Sequence, residues 1–174
     1  MAWLGRSRAK IRPSSERNTL VHPPASLAIS VGCAIVFIGV AVGSYVAPGS
    51  TGSPLVSLFL LGFAVFAALY VIECLRVRHV ILDERIAYRG LFRRGTFPWA
   101  DIVRVRYSDA AKWFRVEMAN RQTLRFSSML MGLPTLAESL LHHVSATSID
   151  PETRRLLETT AHGDPPPVWG WRQK

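Results

Sequence analysis

From Asn18 to Ile72 the chain carries no Asp, Glu, Lys or Arg, a run of 55 residues without a formal charge. A bilayer core of about 30 Å requires roughly 20 consecutive apolar residues in an α-helix. The uncharged stretch supplies two such runs, Ala25 to Val46 and Pro54 to Ile72. Between them Ala47-Pro48-Gly49-Ser50-Thr51-Gly52-Ser53 holds residues that end helices, and irregular backbone of that kind cannot stay unpaired in hydrocarbon. The pattern predicts a two-helix transmembrane hairpin over 25–72, with the remainder of the chain attached to its two ends. The first run is longer than the apolar core of about 7–15 residues in a secretory signal, and Pro48 would follow any cleavage after Ala47, so an uncleaved anchor is expected.

The net charge of +9 raises the question of nucleic acid, and its distribution answers it. The segment before the hairpin is net +4, residues 73–147 are net +5, and the last residues are neutral, while the connecting turn has no charge. Basic flanks and an uncharged turn follow the positive-inside rule, which places both termini in the cytoplasm and the turn outside. Topology and the anionic cytoplasmic leaflet account for the basic residues, and nucleic acid is not expected as a partner. Neither span contains a charged side chain, as ion pathways and proton relays require, so the helices read as an anchor. Gly39 and Gly43 form a small-xxx-small face, with Gly62 at the matching height on the second helix. These glycines are expected to pack the hairpin, with homo-oligomer formation as the alternative. Cys33 and Cys74 fall at different depths, so no disulfide is implied.

Residues 1–24 mix Arg6, Arg8, Lys10, Arg12 and Arg17 with Ser and Pro and show no apolar period, which predicts an irregular basic cytoplasmic arm. After the hairpin, about 100 residues remain, enough for one small domain. Its period changes to alternation. Val80 and Leu82 are expected on one face of a first strand, Asp83-Glu84-Arg85 makes a turn, and Ile86 and Tyr88 share a face of the second. Arg93-Arg94-Gly95 is expected to turn the chain into a third stretch, Thr96 to Tyr107, bent at Pro98. Two more strands follow, with Phe114, Val116 and Met118 and then Leu124 and Phe126 inward, joined by a tight turn at Asn120-Arg121. From Leu133 to Val144 the apolar spacing is helical, with Pro134 in the first turn, and Asp150-Pro151-Glu152 begins a short helix through Leu157. Residues 163–174 are Pro-rich, end near Trp169-Gly170-Trp171, and read as a flexible tail.

A small antiparallel sheet, the segment Phe97-Pro98-Trp99-Ala100-Asp101-Ile102 leading into a strand, and one closing helix resemble the bacterial pleckstrin-homology-like (PH-like) domains. The likeness, which includes two membrane spans followed by one such domain, covers roughly residues 25–146. It implies a membrane α-hairpin plus a small α+β or all-β domain over 76–146, a bent antiparallel sheet of five to seven strands closed by one C-terminal helix. It also implies binding or scaffolding at a bacterial inner membrane rather than catalysis, with Trp99 in the core. Eukaryotic relatives bind inositol phosphates through a basic loop between their first two strands. The loop taken as its counterpart, Asp83-Glu84-Arg85, is short and half acidic, which argues against that ligand.

The candidate binding residues are therefore a broader basic set that would meet the membrane surface or a protein partner: Arg76, Arg78, Arg89, Arg93, Arg94, Arg104 and Arg106, the last two expected to face solvent opposite Val103, Val105 and Tyr107. The five histidines have no metal-site spacing, and no catalytic motif or cofactor loop is present, so no catalytic residue, metal or cofactor is expected. The reading is a non-enzymatic inner-membrane protein presenting a docking domain. The alternative is an accessory or assembly subunit that contacts a larger membrane complex through its hairpin.

Overall fold

The computed structural model describes residues 18–46, 54–164 and 166. The basic arm through Arg17, the turn Ala47–Ser53 and the Trp169-Gly170-Trp171 end lie outside these residues. The chain forms two compact units, one of which is Pro24–Val77, while the other is made of residues from both sides of it.

The first unit is an antiparallel pair of helices, α1 (Pro24–Val46) and α2 (Pro54–Arg76), each of 23 residues. At 1.5 Å per residue each is about 34 Å long. Both are long and apolar enough to cross a membrane. Large apolar side chains project outward along both, including Ile35 at 66 %, Phe66 at 72 % and Leu55 at 76 % exposure. A core helix of a water-soluble protein would bury such residues. The helices meet along Phe37, Ala41 and Ser44 on α1 and Ser57, Phe63 and Ala64 on α2. The Ser44 and Ser57 hydroxyls are 2.7 Å apart, the Phe37 and Phe63 ring centroids are 5.4 Å apart, and Ala41, Ser57 and Ala64 are buried. The expectation that Gly39, Gly43 and Gly62 pack the hairpin is corrected here. A Cβ built on any of them meets no atom within 4 Å, because these glycines share the height of the contact but not its face.

The second unit contains two antiparallel sheets. Sheet one has the order β1 (Thr19–Val21), β2 (Arg78–Ile81), β3 (Arg85–Arg89), β4 (Arg94–Pro98); sheet two has the order β5 (Ile102–Ser108), β6 (Trp113–Met118), β7 (Thr123–Ser127). The seven strands fall within the expected five to seven, one more than the chain after the hairpin supplies, and the two C-terminal helices stand at the two places where helices were expected. The additional strand comes from the other side of the hairpin. Thr19–Val21, expected to be irregular, pairs with β2 in the register Thr19↔Val80, Leu20↔His79 and Val21↔Arg78. The apolar hairpin is thus an insertion between the first two strands of one sheet. The same strand is held on its other side where the Met131 N–H donates to the Val21 carbonyl at 2.9 Å. Gly132 allows this approach: its φ is 88°, and a Cβ there would lie 3.0 Å from the Thr19 carbonyl oxygen.

Two local registers differ from the alternation read along the chain. In β2 it is His79 and Ile81 that are buried, while Leu82 is exposed, because His79 enters the core as an aromatic rather than a polar residue. The β3–β4 turn is Gly90–Arg93, closed by Gly90 N–H donating to the Arg93 carbonyl at 2.8 Å, so Arg94 and Gly95 lie inside β4. Pro98 ends β4 and Trp99–Asp101 forms a short 3₁₀ turn that starts sheet two. Trp99 is buried as expected, donates its indole N–H to the Leu82 carbonyl at 3.1 Å and stacks on His143 at 5.6 Å.

The core is formed by Leu20, Ile86, Val105, Phe114, Leu124 and Phe126 from the strands, with Leu133, Leu136 and Leu140 of α3 (Leu133–His143). The second helix, α4 (Pro151–Ala161), runs past Leu157 and buries it against this core. α4 also covers the β5 edge. The Asp150 N–H donates to the Val105 carbonyl at 3.1 Å, and the Tyr107 N–H donates to Thr153 Oγ1 at 2.8 Å, so the outer backbone groups of β5 are occupied. Asp150 stands at the helix N-cap, but its carboxylate receives Arg104 instead of capping the helix.

Candidate functional site

Register divides the seven expected arginines into separate groups. Arg76 belongs to the last turn of α2 in the first unit. Arg78, Arg89 and Arg94 fall in one row across sheet one: Arg89 is the Cα partner of Arg94, and continuing the Val80↔Ala87 pairing by two residues sets Arg78 beside Arg89. The intermediate step of that continuation is occupied by His79 stacked on Tyr88 at 4.4 Å. All three arginines are exposed, as is Arg93 in the adjoining turn, and none of the four is ion-paired among the described residues. Like charges directly opposite each other on a sheet oppose pairing. Among the described residues no carboxylate is ion-paired with this row.

Arg104 and Arg106 lie on sheet two and are not a free basic pair. Arg104 makes a bidentate contact with Asp150, at 3.0 Å and 3.2 Å from Nη2, and Arg106 is 2.6 Å from Glu117. The expected grouping of Val103 with Val105 and Tyr107 also fails. A bulge between Ile102 and Arg104 adds a residue to β5, so Val103 turns outward at 57 % exposure while Val105 is fully buried.

Sheet two adds two arginines that the sequence reading missed. Arg106 is the Cα partner of Arg115, and Arg115 of Arg125, forming a second cross-strand row of three with Glu117 beside it. The Arg125 guanidinium sits 5.1 Å from the centroid of the Trp113 ring, an arrangement that keeps the charge at the surface on an aromatic platform. The signal was present in the chain: alternation about Phe114, Val116, Leu124 and Phe126 sends Arg115 and Arg125 outward, and the Asn120-Arg121 turn sets them opposite each other. A third unanticipated feature is Phe92, 91 % exposed at the tip of the β3–β4 turn and flanked by Arg93 and Arg94.

Behind the first row lies a buried histidine. His79 is 1 % exposed, meets Phe126 edge-on at 5.1 Å and accepts the Arg89 backbone N–H on Nδ1 at 3.2 Å. Burial, and secondarily the charge of His22, holds it at about 4, well below the ordinary value of 6.5. Burial also lowers His22. At neutral pH both imidazoles are uncharged, so neither adds to the basic surface.

Residues 76–138 match the family model described as Bacterial PH domain. No curated protein and no solved structure matches the chain. The matched segment runs from the end of α2 into α3 and takes in β2 to β7; β1 and α4 lie outside it. Two helices long and apolar enough to cross a membrane, antiparallel sheets of four and three strands and C-terminal helices are consistent with a PH-like domain. The loop between the first two strands is thus residues 22–77 and not Asp83-Glu84-Arg85, which joins β2 to β3.

Proposed function

We propose that the chain is a two-pass protein of the bacterial inner membrane whose PH-like domain is a non-catalytic docking module, taking an acidic segment of a protein partner on its second sheet. The observation that carries the docking face is the row Arg106, Arg115 and Arg125, three guanidiniums in register beside Glu117 and next to Trp113. Carboxylates of a partner relieve the mutual repulsion of the row, and Arg forms bidentate pairs with them. The membrane part of the reading is supported by the Val21↔Arg78 pairing. Chain entering α1 and chain leaving α2 belong to adjacent strands, so both ends of the hairpin emerge on one side of the bilayer. The basic flanks make that side cytoplasmic.

The test is affinity capture of the full chain in mild detergent, comparing the native sequence with an Arg115→Glu/Arg125→Glu variant. Loss of a co-purifying protein from the variant, with retention when Asp150 or Glu158 is changed to Gln, supports docking on sheet two. Retention of every partner by the double variant refutes it.

A second reading, an accessory subunit that joins a larger membrane complex through its hairpin, is favoured by the outward direction of Gly39, Gly43 and Gly62. Their open faces are those at which another helix approaches closely. Replacing Gly39 and Gly43 by Leu separates the two readings. Association lost in that variant and kept in the arginine variant assigns the contact to the hairpin.

A further inference from the structure

We infer that the β3–β4 turn is a third membrane contact, with Phe92 seated among lipid headgroups and Arg89, Arg93 and Arg94 on the phosphates of an anionic leaflet. This rests on the reading of Pro24–Arg76 as a membrane hairpin. Three observations support it independently of the docking face on sheet two.

The first is position. Val21 pairs with Arg78 and Arg89 pairs with Arg94, so the ends of all four strands of sheet one lie in one row. At that row the chain leaves for the apolar helices after β1 and returns from them into β2. The turn Gly90–Arg93 extends the same edge of the sheet, whereas the β2–β3 turn with Asp83 and Glu84 lies at the opposite end. The acidic turn closes one end of the sheet and the basic turn the other, the end at which the chain joins the apolar helices. The second observation is Phe92 itself. A phenyl ring 91 % exposed at a turn tip has no packing role inside the domain, and aromatic rings favour the membrane–water interface. The third is charge. Arg89, Arg93 and Arg94 bracket the ring, are exposed, and have no ion pair among the described residues. A basic cluster around an apolar tip complements an anionic leaflet, where each near-surface arginine raises the ratio of docked to free turn about fivefold. A second protein surface would have to bury the ring and still supply three acids at this edge.

The experiment uses the full chain reconstituted in vesicles of phosphatidylglycerol and phosphatidylethanolamine, labelled at single cysteines with a nitrobenzoxadiazole fluorophore. One version keeps native Cys33 with Cys74→Ser; two others carry Phe92→Cys or Asn120→Cys with both native cysteines replaced. Quenching by lipids bearing a nitroxide at shallow or deep acyl positions reads the depth of each label. The expected result is deep quenching at position 33, shallow quenching at position 92 and none at position 120. Arg93→Gln and Arg94→Gln are each expected to lower the docked-to-free ratio at position 92 about fivefold, and neutral phosphatidylcholine vesicles to lower it further. Quenching at position 33 with none at position 92 overturns the turn assignment and leaves the hairpin in place. Absence of quenching at both positions overturns the membrane reading and the turn with it. A label at position 92 that is shielded from aqueous iodide in detergent, before lipid is added, shows a protein covering the turn and also overturns the proposal.

Discussion

Acidification from neutral pH to about pH 5 tests how the domain holds His79. The side chain is 1 % exposed, stacked on Tyr88 and set edge-on to Phe126, with Nδ1 accepting a backbone N–H, so the folded state keeps it neutral down to about 4. In the unfolded chain it takes up its proton near 6.5. Above 6.5 both states are neutral and the full contribution to stability is present. Between 6.5 and about 4 the unfolded state binds the extra proton, so stability falls with falling pH and levels off below that window. At about 1.4 kcal/mol per unit the whole window represents about 3 kcal/mol, of which about 2 kcal/mol has been lost by pH 5. His22, lowered by burial in the same direction, steepens the fall. The comparison is His79→Phe, which keeps a ring against Tyr88 and Phe126 but removes both the titration and the acceptor for the Arg89 N–H. At neutral pH the variant is expected to be less stable by about 1–2 kcal/mol through the orphaned donor. At pH 5 the two proteins should have converged. Urea unfolding of the full chain in mild detergent, followed by the fluorescence of Trp99 and Trp113, measures both. Parallel stability curves for the two proteins from neutral pH to pH 5 would refute the reasoning, because carboxylate titration is common to both.

Leu20 has no exposed surface although it lies before the hairpin, and Leu20→Ala is expected to cost about 2–5 kcal/mol in the same urea assay. A fragment starting at Arg78 lacks this strand and should show a lower unfolding midpoint than the full chain. Gly132→Ala places a Cβ 3.0 Å from the Thr19 carbonyl at a φ of 88° and is expected to destabilise by about 1–3 kcal/mol, read as a drop in thermal midpoint; an unchanged midpoint would mean that β1 does not rest against this turn. The Arg104–Asp150 pair is half exposed on the arginine side, so Asp150→Asn should cost less than about 1 kcal/mol and the difference should shrink in high salt.

How much of this was legible along the chain depends on the range of the interactions concerned. Phe114, Val116, Met118, Leu124 and Phe126 were placed correctly because a tight turn and strict alternation are local properties. The core position of Trp99 was implied by the resemblance of residues 97–102 to the PH-like domains, and the side chain is buried. Val103 was misplaced because a bulge shifts register without a residue type that announces it. His79 was misread because its burial depends on partners distant in the chain: Leu20 across β1 and Phe126 on β7. Of the candidate site, Arg78, Arg89, Arg93 and Arg94 come together at one edge, whereas Arg104 and Arg106 are engaged by Asp150 and Glu117, partners 46 and 11 positions away along the chain.

The sequence by itself determined the uncharged double span, its basic flanks and the alternating strands, since composition and period act over a turn or a hairpin and need no distant partner. Tertiary structure alone decided that Thr19–Val21 crosses the hairpin in sequence to become the first strand of the sheet, and that the arginines form two rows. Both depend on hydrogen-bonded register between segments separated by the whole apolar insertion or by a bulge, and a three-residue strand has too little pattern of its own to declare its partner.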